Sequence, residues 1–329
     1  MTGTARTKLL LVASLLIALA AVAPFANSFV LLLLTKVLVL SILAMSADLL
    51  LGYTGLATMG QAAYLAVGAY LAAILAERTA IGLGCDFFAV LAAGLLLGAA
   101  LAAVFGLIAM RSTGVYFLMI TLALGMVVWG LAYRWNSLTR GDNGINIAQR
   151  PSCGVAFSDP IAYYYLVFTA FVLALGGLYL LVNSPFGRSL VGIRESEVRM
   201  RILGYNTWLH KYLIFVISGA CGGFAGVLWA YLNRIVSPED AILTTSVDAL
   251  LMVILGGPGT LVGAALGAGV VLFLREYLST QVTWWQYVLG IVYILTIYYL
   301  PDGLIGLPAY LRSLQRTKGR PTPAAEPRP

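Results

Sequence analysis

The sequence predicts an all-α, polytopic integral membrane helix bundle of about 8–10 spans, with both termini in the cytoplasm. Three observations predict it. The 329 residues are 61% hydrophobic and only 10% charged, whereas a soluble domain carries about 25% charged residues. Apolar runs of roughly 20 residues, the length that crosses a bilayer core, recur from end to end. Lys and Arg are spread unevenly over the ends of those runs, which orients the bundle. Short alternating segments of the kind that build a membrane β-barrel do not occur.

The runs fall at about 9–25, 29–51, 57–76, 87–109, 115–133, 161–182, 211–232, 243–256, 259–278 and 285–300. The first ends in "AVA" before Pro24, a poor cleavage site, so a retained helix is expected rather than a removed signal. Two connections are glycine turns, "GYTG" at Gly52–Gly55 and "GGPGT" at Gly256–Thr260, each followed by an Ala/Gly-rich run. The rest are short, except about 134–160 and 183–210. The eighth run is short for a span, and an eight-span bundle with two broken helices fits the same pattern. Gly94 and Gly98, Gly222 and Gly226, and Gly263 and Gly267 form GxxxG pairs that let helices approach closely. The sequence thus divides into a membrane domain over 1–310 and a Pro-rich, polar tail over 311–329, expected to be disordered.

With ten spans, thirteen Lys and Arg fall on the side of the termini and of the segment 183–210, against six on the other, with Lys36 inside a helix. That asymmetry accounts for the net charge of +7 and argues against a nucleic-acid-binding face. The chain has no phosphate-binding loop, because none of Lys8, Lys36, Lys211 and Lys318 follows a glycine. One histidine, His210, and three scattered cysteines do not make a zinc site. Cys85 and Cys153 both fall in predicted outer loops, either bridged or as free thiols.

The segment "GRSLVGIRESEVRMRILGYN", Gly187 to Asn206, breaks the apolar pattern with four arginines and two glutamates. Asn183-Ser184-Pro185 stops the preceding helix. A single short helix is expected from Leu190 to Leu203, with Gly204 and Asn206 as its stop. On it, Arg194, Glu197 and Arg201 share a face, and Glu195 and Arg199 form a second i,i+4 pair. The segment reads either as an amphipathic connector on the lipid surface or as a docking element for a cytoplasmic partner.

These residues resemble the cytoplasmic coupling segment of ABC-importer permeases, in the version of the branched-chain amino acid permeases. Other stretches match in order: "LLLGYTGLATMGQAAYLAVGAYLAAIL" at 49–75, "RSTGVYFLMITLALGMV" at 111–127, "NSLTRGDNGI" at 136–145, and "FVISGACGGFAGVLWAYLNRIVSPED" with "LLMVILGGPGTLVGAALGA" across 215–268. The second of these is similar to the larger, LivM-type permease of the pair. The resemblance implies an importer of the bacterial inner membrane with a second related permease, two cytoplasmic ATPases and a periplasmic or lipid-anchored binding protein. ATP and Mg would be used by the ATPase, with no cofactor in this chain. Implied substrates are Leu, Ile and Val, or other amino acids, amides or urea. By position, Gly187, Arg188, Arg194, Glu195, Glu197, Arg201 and Gly204 would form the ATPase-coupling element, and Arg140, Gly141, Asp142, Asn143 and Gly144 would lie where the binding protein docks. Two positions depart from the family pattern: Asp48 stands where Asn is frequent, and Arg140 interrupts a Thr-Gly-Gly run.

Polar residues inside apolar runs are costly and face protein or water. Lys36 is expected to snorkel. Asp48 is expected near the cytoplasmic surface in contact with solvent. Asp248 either caps the short eighth run or lines the translocation path. Backbone groups freed at the glycine turns can bind a carboxylate or an amine. Gly52, Gly55, Gln61, Asp248, Gly256 and Gly259 are therefore the candidate pathway residues. A self-sufficient ion-coupled carrier, with Asp48, Asp248 and Lys36 relaying protons, is the competing class.

Overall fold

The computed structural model describes residues 14, 16–22, 24, 27–79, 87–147, 159–281, 284–299 and 303–306. Part of the first predicted span, the tail, Cys85 and Cys153 lie outside these residues. Every predicted span from the second to the tenth coincides with a helix: α1 (Ser28–Thr54), α2 (Gln61–Thr79), α3 (Phe87–Ala109), α4 (Val115–Arg134), α5 (Pro160–Asn183), α8 (Thr207–Asn233), α9 (Leu243–Gly256), α10 (Leu261–Gln281) and α11 (Trp285–Tyr299). Among the described residues six helices are long and apolar enough to cross a membrane, and α2, α9 and α11 are shorter apolar helices.

α8 and α1 are the most buried of the long helices. α8 packs along α3, α2 and α1, while α10 lies against α1 and α9. Small residues make the first contact possible. A Cβ on Gly223 of α8 would sit 2.9 Å from the Cα of Gly98 on α3, so only glycine allows this approach. Outer helices leave large apolar side chains uncovered, such as Met119, Leu173 and Ile294, as a lipid-facing surface requires.

Two expectations are corrected. Gly52, Tyr53 and Thr54 do not form a turn but continue α1. The chain reverses only at Gly55, whose φ of 73° is left-handed, and the Leu56 N–H returns to the Leu50 carbonyl at 2.9 Å. The following irregular residues turn back into the bundle, with Leu56, Thr58 and Gly60 buried. Such backbone persists at depth because protein groups satisfy it.

The charged segment is two helices rather than one. α6 (Pro185–Glu195) and α7 (Glu197–Ile202) are separated by Ser196, which is extended at φ −162°. Gly192, the one glycine in the expected helix, lies within α6 and does not break it. Serines start both helices: Ser184 Oγ accepts from Gly187 N and Ser196 Oγ from Arg199 N. Gly204, at φ 89°, ends α7 as expected, with Gly204 N–H bonded to the Arg201 carbonyl and Tyr205 N–H to that of Met200.

Candidate functional site

At one end of the bundle the charged segment meets both glycine-rich connections. Arg194, on the last turn of α6, donates from Nη1 to the carbonyl of Gly52. The same guanidinium borders Gly259, where an added Cβ would lie 3.3 Å from Nη1. Gly259, at φ 84°, gives its N–H to Asp48 Oδ1 at 2.7 Å. Asp48 is fully buried, which corrects the expectation of solvent contact. A Cβ on Gly52 would overlap the Asp48 carboxylate and the Gly259 backbone, so α1 and the α9–α10 turn touch at main-chain distance. Gly256 makes a similar approach between α9 and the Gly263 carbonyl on α10.

Glu197, first residue of α7, faces the bundle. Its carboxylate accepts from Lys211 at 2.6 Å and from Arg201 and Thr207 at 3.1 Å each. Partial burial alone would raise its pKa. The hydrogen bond and charge of Lys211, with Thr207 and Arg201, outweigh that and hold the carboxyl below the usual carboxylate range. The expected shared face of Arg194 with Glu197 does not form, because Ser196 turns α7 away. It also separates Glu195 from Arg199. Glu195, Arg199 and Arg201 are exposed, and Arg188 reaches only the Asn183 carbonyl at 3.4 Å. Gly187 packs tightly on Val182. No residue of α7 is buried; Val198, Ile202 and Leu203 stand out from the end of the bundle at 68%, 80% and 71% exposure. His210 stacks on Phe186, with ring centroids 5.4 Å apart.

Deeper in the bundle, buried polar groups surround the start of α2. Gln61 donates to Ser218 Oγ at 3.0 Å and accepts from Ser46 Oγ at 3.2 Å. Ser218 in turn donates to the Ser46 carbonyl at 2.6 Å. Met59, Gly60 and Ala62 give their N–H groups to the hydroxyls of Thr121, Thr58 and Ser246. Side chains from four helices thereby hold one helix start.

At the opposite end lies a cavity of about 450 Å³ between α1, α8, α9 and α10. Its charged lining is Lys36 and Arg275 with Glu239, Asp240, Asp248 and Glu276. Lys36 pairs with Glu276 at 3.4 Å and Arg275 with Asp248 at 3.0 Å. Asp248 does not cap α9: it lies beyond the first turn, and Ile242 holds the cap position. The predicted docking loop closes over the same end. Gly141–Asn143 is a 3-10 turn, and Arg140 takes left-handed φ 58° and pairs with Glu77. Gly144, at φ 66°, leads into β1 (Ile145–Asn146), antiparallel to β2 (Ile235–Val236), which ties this loop to the end of α8. Asp142 and Asn143 remain exposed.

Residues 29–298 match the family described as the branched-chain amino acid transport system permease component. The chain belongs to this family. The LivM high-affinity branched-chain amino acid permeases of Salmonella typhimurium and Escherichia coli K12 are each 30% identical to it over 295 residues, covering 82% of this chain and 68% of theirs. E. coli LivH is 30% identical over 38% of this chain and 41% of its own. No solved structure matches the chain. With its apolar helices, the permease is a multi-pass protein of the bacterial inner membrane.

In this permease, sequence reasoning found Gly52, Gly259, Gln61 and Asp248 without their partners. The structure pairs the first two through Asp48 and Arg194, Gln61 with Ser46 and Ser218, and Asp248 with Arg275. Lys211 and Thr207, both partners of Glu197, were missed. A visible signal was Lys211 at the start of an apolar helix, where a lone cation needs a counter-charge.

Proposed function

We propose that this permease forms half of the translocation path of an ATP-driven importer for branched-chain amino acids. It works with a second related permease, two cytoplasmic ATPase subunits that hold ATP and Mg, and a periplasmic or lipid-anchored binding protein. The side bearing the charged segment is cytoplasmic, in keeping with the excess of Lys and Arg there. The observation that carries the coupling role is α7 with its C-cap Leu203: a helix with nothing buried, where Val198, Ile202 and Leu203 face the aqueous side. Exposed apolar side chains rimmed by Arg199 and Arg201 suit a protein groove better than water. Glu197 and Arg194 spend their charged groups on the bundle, at Lys211 and at the Gly52 carbonyl, so they carry motion rather than touch the ATPase. Arg194 grips Gly52 beside Gly259, so a rigid shift of α6 moves both helix ends at the cytoplasmic mouth together. Asp142 and Asn143 form the exposed tip for the binding protein on the far side.

The test uses exposed positions, because Glu197→Arg would also strand Lys211. Ile202→Asp and Val198→Asp are expected to leave the permease folded and to lower binding-protein-stimulated ATP hydrolysis of the assembled importer by at least about tenfold, since charge enters the core of an interface. Unchanged stimulation in both variants would refute the coupling role.

A further inference from the structure

We infer that the cavity opposite the charged segment receives the transported solute as an amino-acid zwitterion, with its carboxylate on Arg275 and Lys36, its ammonium on Asp248 and Glu276, and its side chain on an apolar floor. This rests on the reading of the chain as an amino-acid importer permease. The volume, about 450 Å³, lies in the usual range of small-molecule sites. The lining is divided by chemistry. Charges of both signs come from α1, α9, α10 and the turn at Pro238–Ala241, while Leu40, Leu43, Leu65, Met252 and Leu272 supply the apolar part. A solute with two opposite charges and a branched hydrocarbon arm uses every part of this lining. Urea or a simple amide would leave the apolar part empty and offer no charge to either ion pair.

Arg275 is set to recognise a carboxylate. Asp248 holds one of its nitrogens at 3.0 Å, and the guanidinium lies 5.4 Å from the centroid of the Trp285 ring. Its side chain is still 47% exposed, so other N–H donors of the planar fork face the open space. Lys36 and Glu276, at 26% and 33% exposure, are also only partly withdrawn. An arriving zwitterion exchanges partners with these pairs instead of stripping a charge bare. Its carboxylate replaces Asp248 or Glu276 as counter-ion, and its ammonium satisfies the carboxylate released. Solvated pairs cost little to open, so the solute is held weakly enough to move on. The apolar part of the cavity adjoins the buried Gln61 cluster. The lining residue Leu43 accepts at its carbonyl from Ser46 Oγ at 2.7 Å, and that hydroxyl meets Gln61.

The experiment is uptake of labelled L-leucine and L-valine by proteoliposomes holding the complete importer and its binding protein. Arg275→Gln is expected to lower uptake of both at least about tenfold, with partial recovery in Arg275→Lys. Leu40→Phe and Leu272→Phe, which narrow the apolar part, are expected to lower the leucine-to-valine ratio at least about fivefold, because the two substrates differ by one methylene. A merely structural defect would lower both substrates alike and leave that ratio unchanged. A ratio within about twofold of wild type in both Phe variants overturns the assignment, as does near-normal uptake by Arg275→Gln. If the unaltered importer accumulates none of leucine, isoleucine and valine, the substrate reading itself fails, and that arm is read before any variant.

Discussion

The two ends of the bundle use charge in opposite ways. At the end with the charged segment, Asp48 is fully buried and bound to Gly259, Arg194 is bound to the Gly52 carbonyl, and Lys211 is nearly buried against Glu197. These three charges are committed to fixed groups, and no open space is left between Gly52 and Gly259. At the other end, the Lys36–Glu276 and Asp248–Arg275 pairs stay between 26% and 47% exposed around a cavity. A fully buried carboxylate such as Asp48 is costly to strip of its partner, while partly solvated pairs contribute little and exchange easily. One end is therefore built to move as a body and the other to admit a solute.

Filling the closed end should have the largest effect. Gly52→Val places a side chain where the Gly259 backbone and the Asp48 carboxylate now lie. The expected cost is about 3 kcal/mol or more, seen as lost folded protein on size-exclusion in detergent. If Gly52→Val kept wild-type thermal stability, the two ends would not differ in rigidity. Asp48→Leu is expected to cost about 2 kcal/mol, because it strands the Gly259 N–H in a buried site. Asp48→Asn keeps an acceptor there and should cost under about 1 kcal/mol. Equal losses in the two variants would mean that the hydrogen bond to Gly259 is not what Asp48 supplies. At the open end, Glu276→Gln should change thermal stability by less than about 1 kcal/mol, as partly exposed pairs do. A larger loss would show that this end is also locked.

Most of the helix pattern was legible because apolar runs and glycine stops are local signals. What was not legible depended on contacts far apart in the chain. Asp48 and Gly259 are separated by 211 residues and Lys36 and Glu276 by 240. Nothing near Asp48 distinguishes a solvated carboxylate from one holding a remote turn. The break at Ser196 was visible in principle, since serine starts helices, but a run of good helix formers hid it. GYTG looked like a turn because Gly52 and Gly55 are identical in sequence. One answers a close backbone approach and the other a positive φ, and only packing separates them. Asp248 stood out as a polar residue inside an apolar run, yet its partner Arg275 lies 27 residues away on the next helix.

The smallest effect comes from pH at Glu197 and sharpens the comparison inside the closed end. Lys211, Thr207 and Arg201 together lower the Glu197 pKa from its ordinary 4.5, against the opposing pull of partial burial. A carboxyl whose folded pKa is depressed adds stability above its unfolded value, and that stability is lost as pH falls through the folded value. The contribution is therefore complete at neutral pH and begins to fade only below about 4.5. The difference in thermal midpoint between wild type and Glu197→Gln in detergent should be constant from pH 8 to about 6 and shrink below about 4.5. A difference that instead grew on acidification would mean the Glu197 carboxyl is protonated in the folded permease, and that Lys211 is held by another group. The effect is modest because the carboxyl is still 32% exposed, so water screens part of the Lys211 charge. Its value is positional: Glu197 is the carboxylate joining α7 to the first turn of α8, so this titration reports how firmly the exposed knob of α7 is fixed to the bundle it is proposed to move.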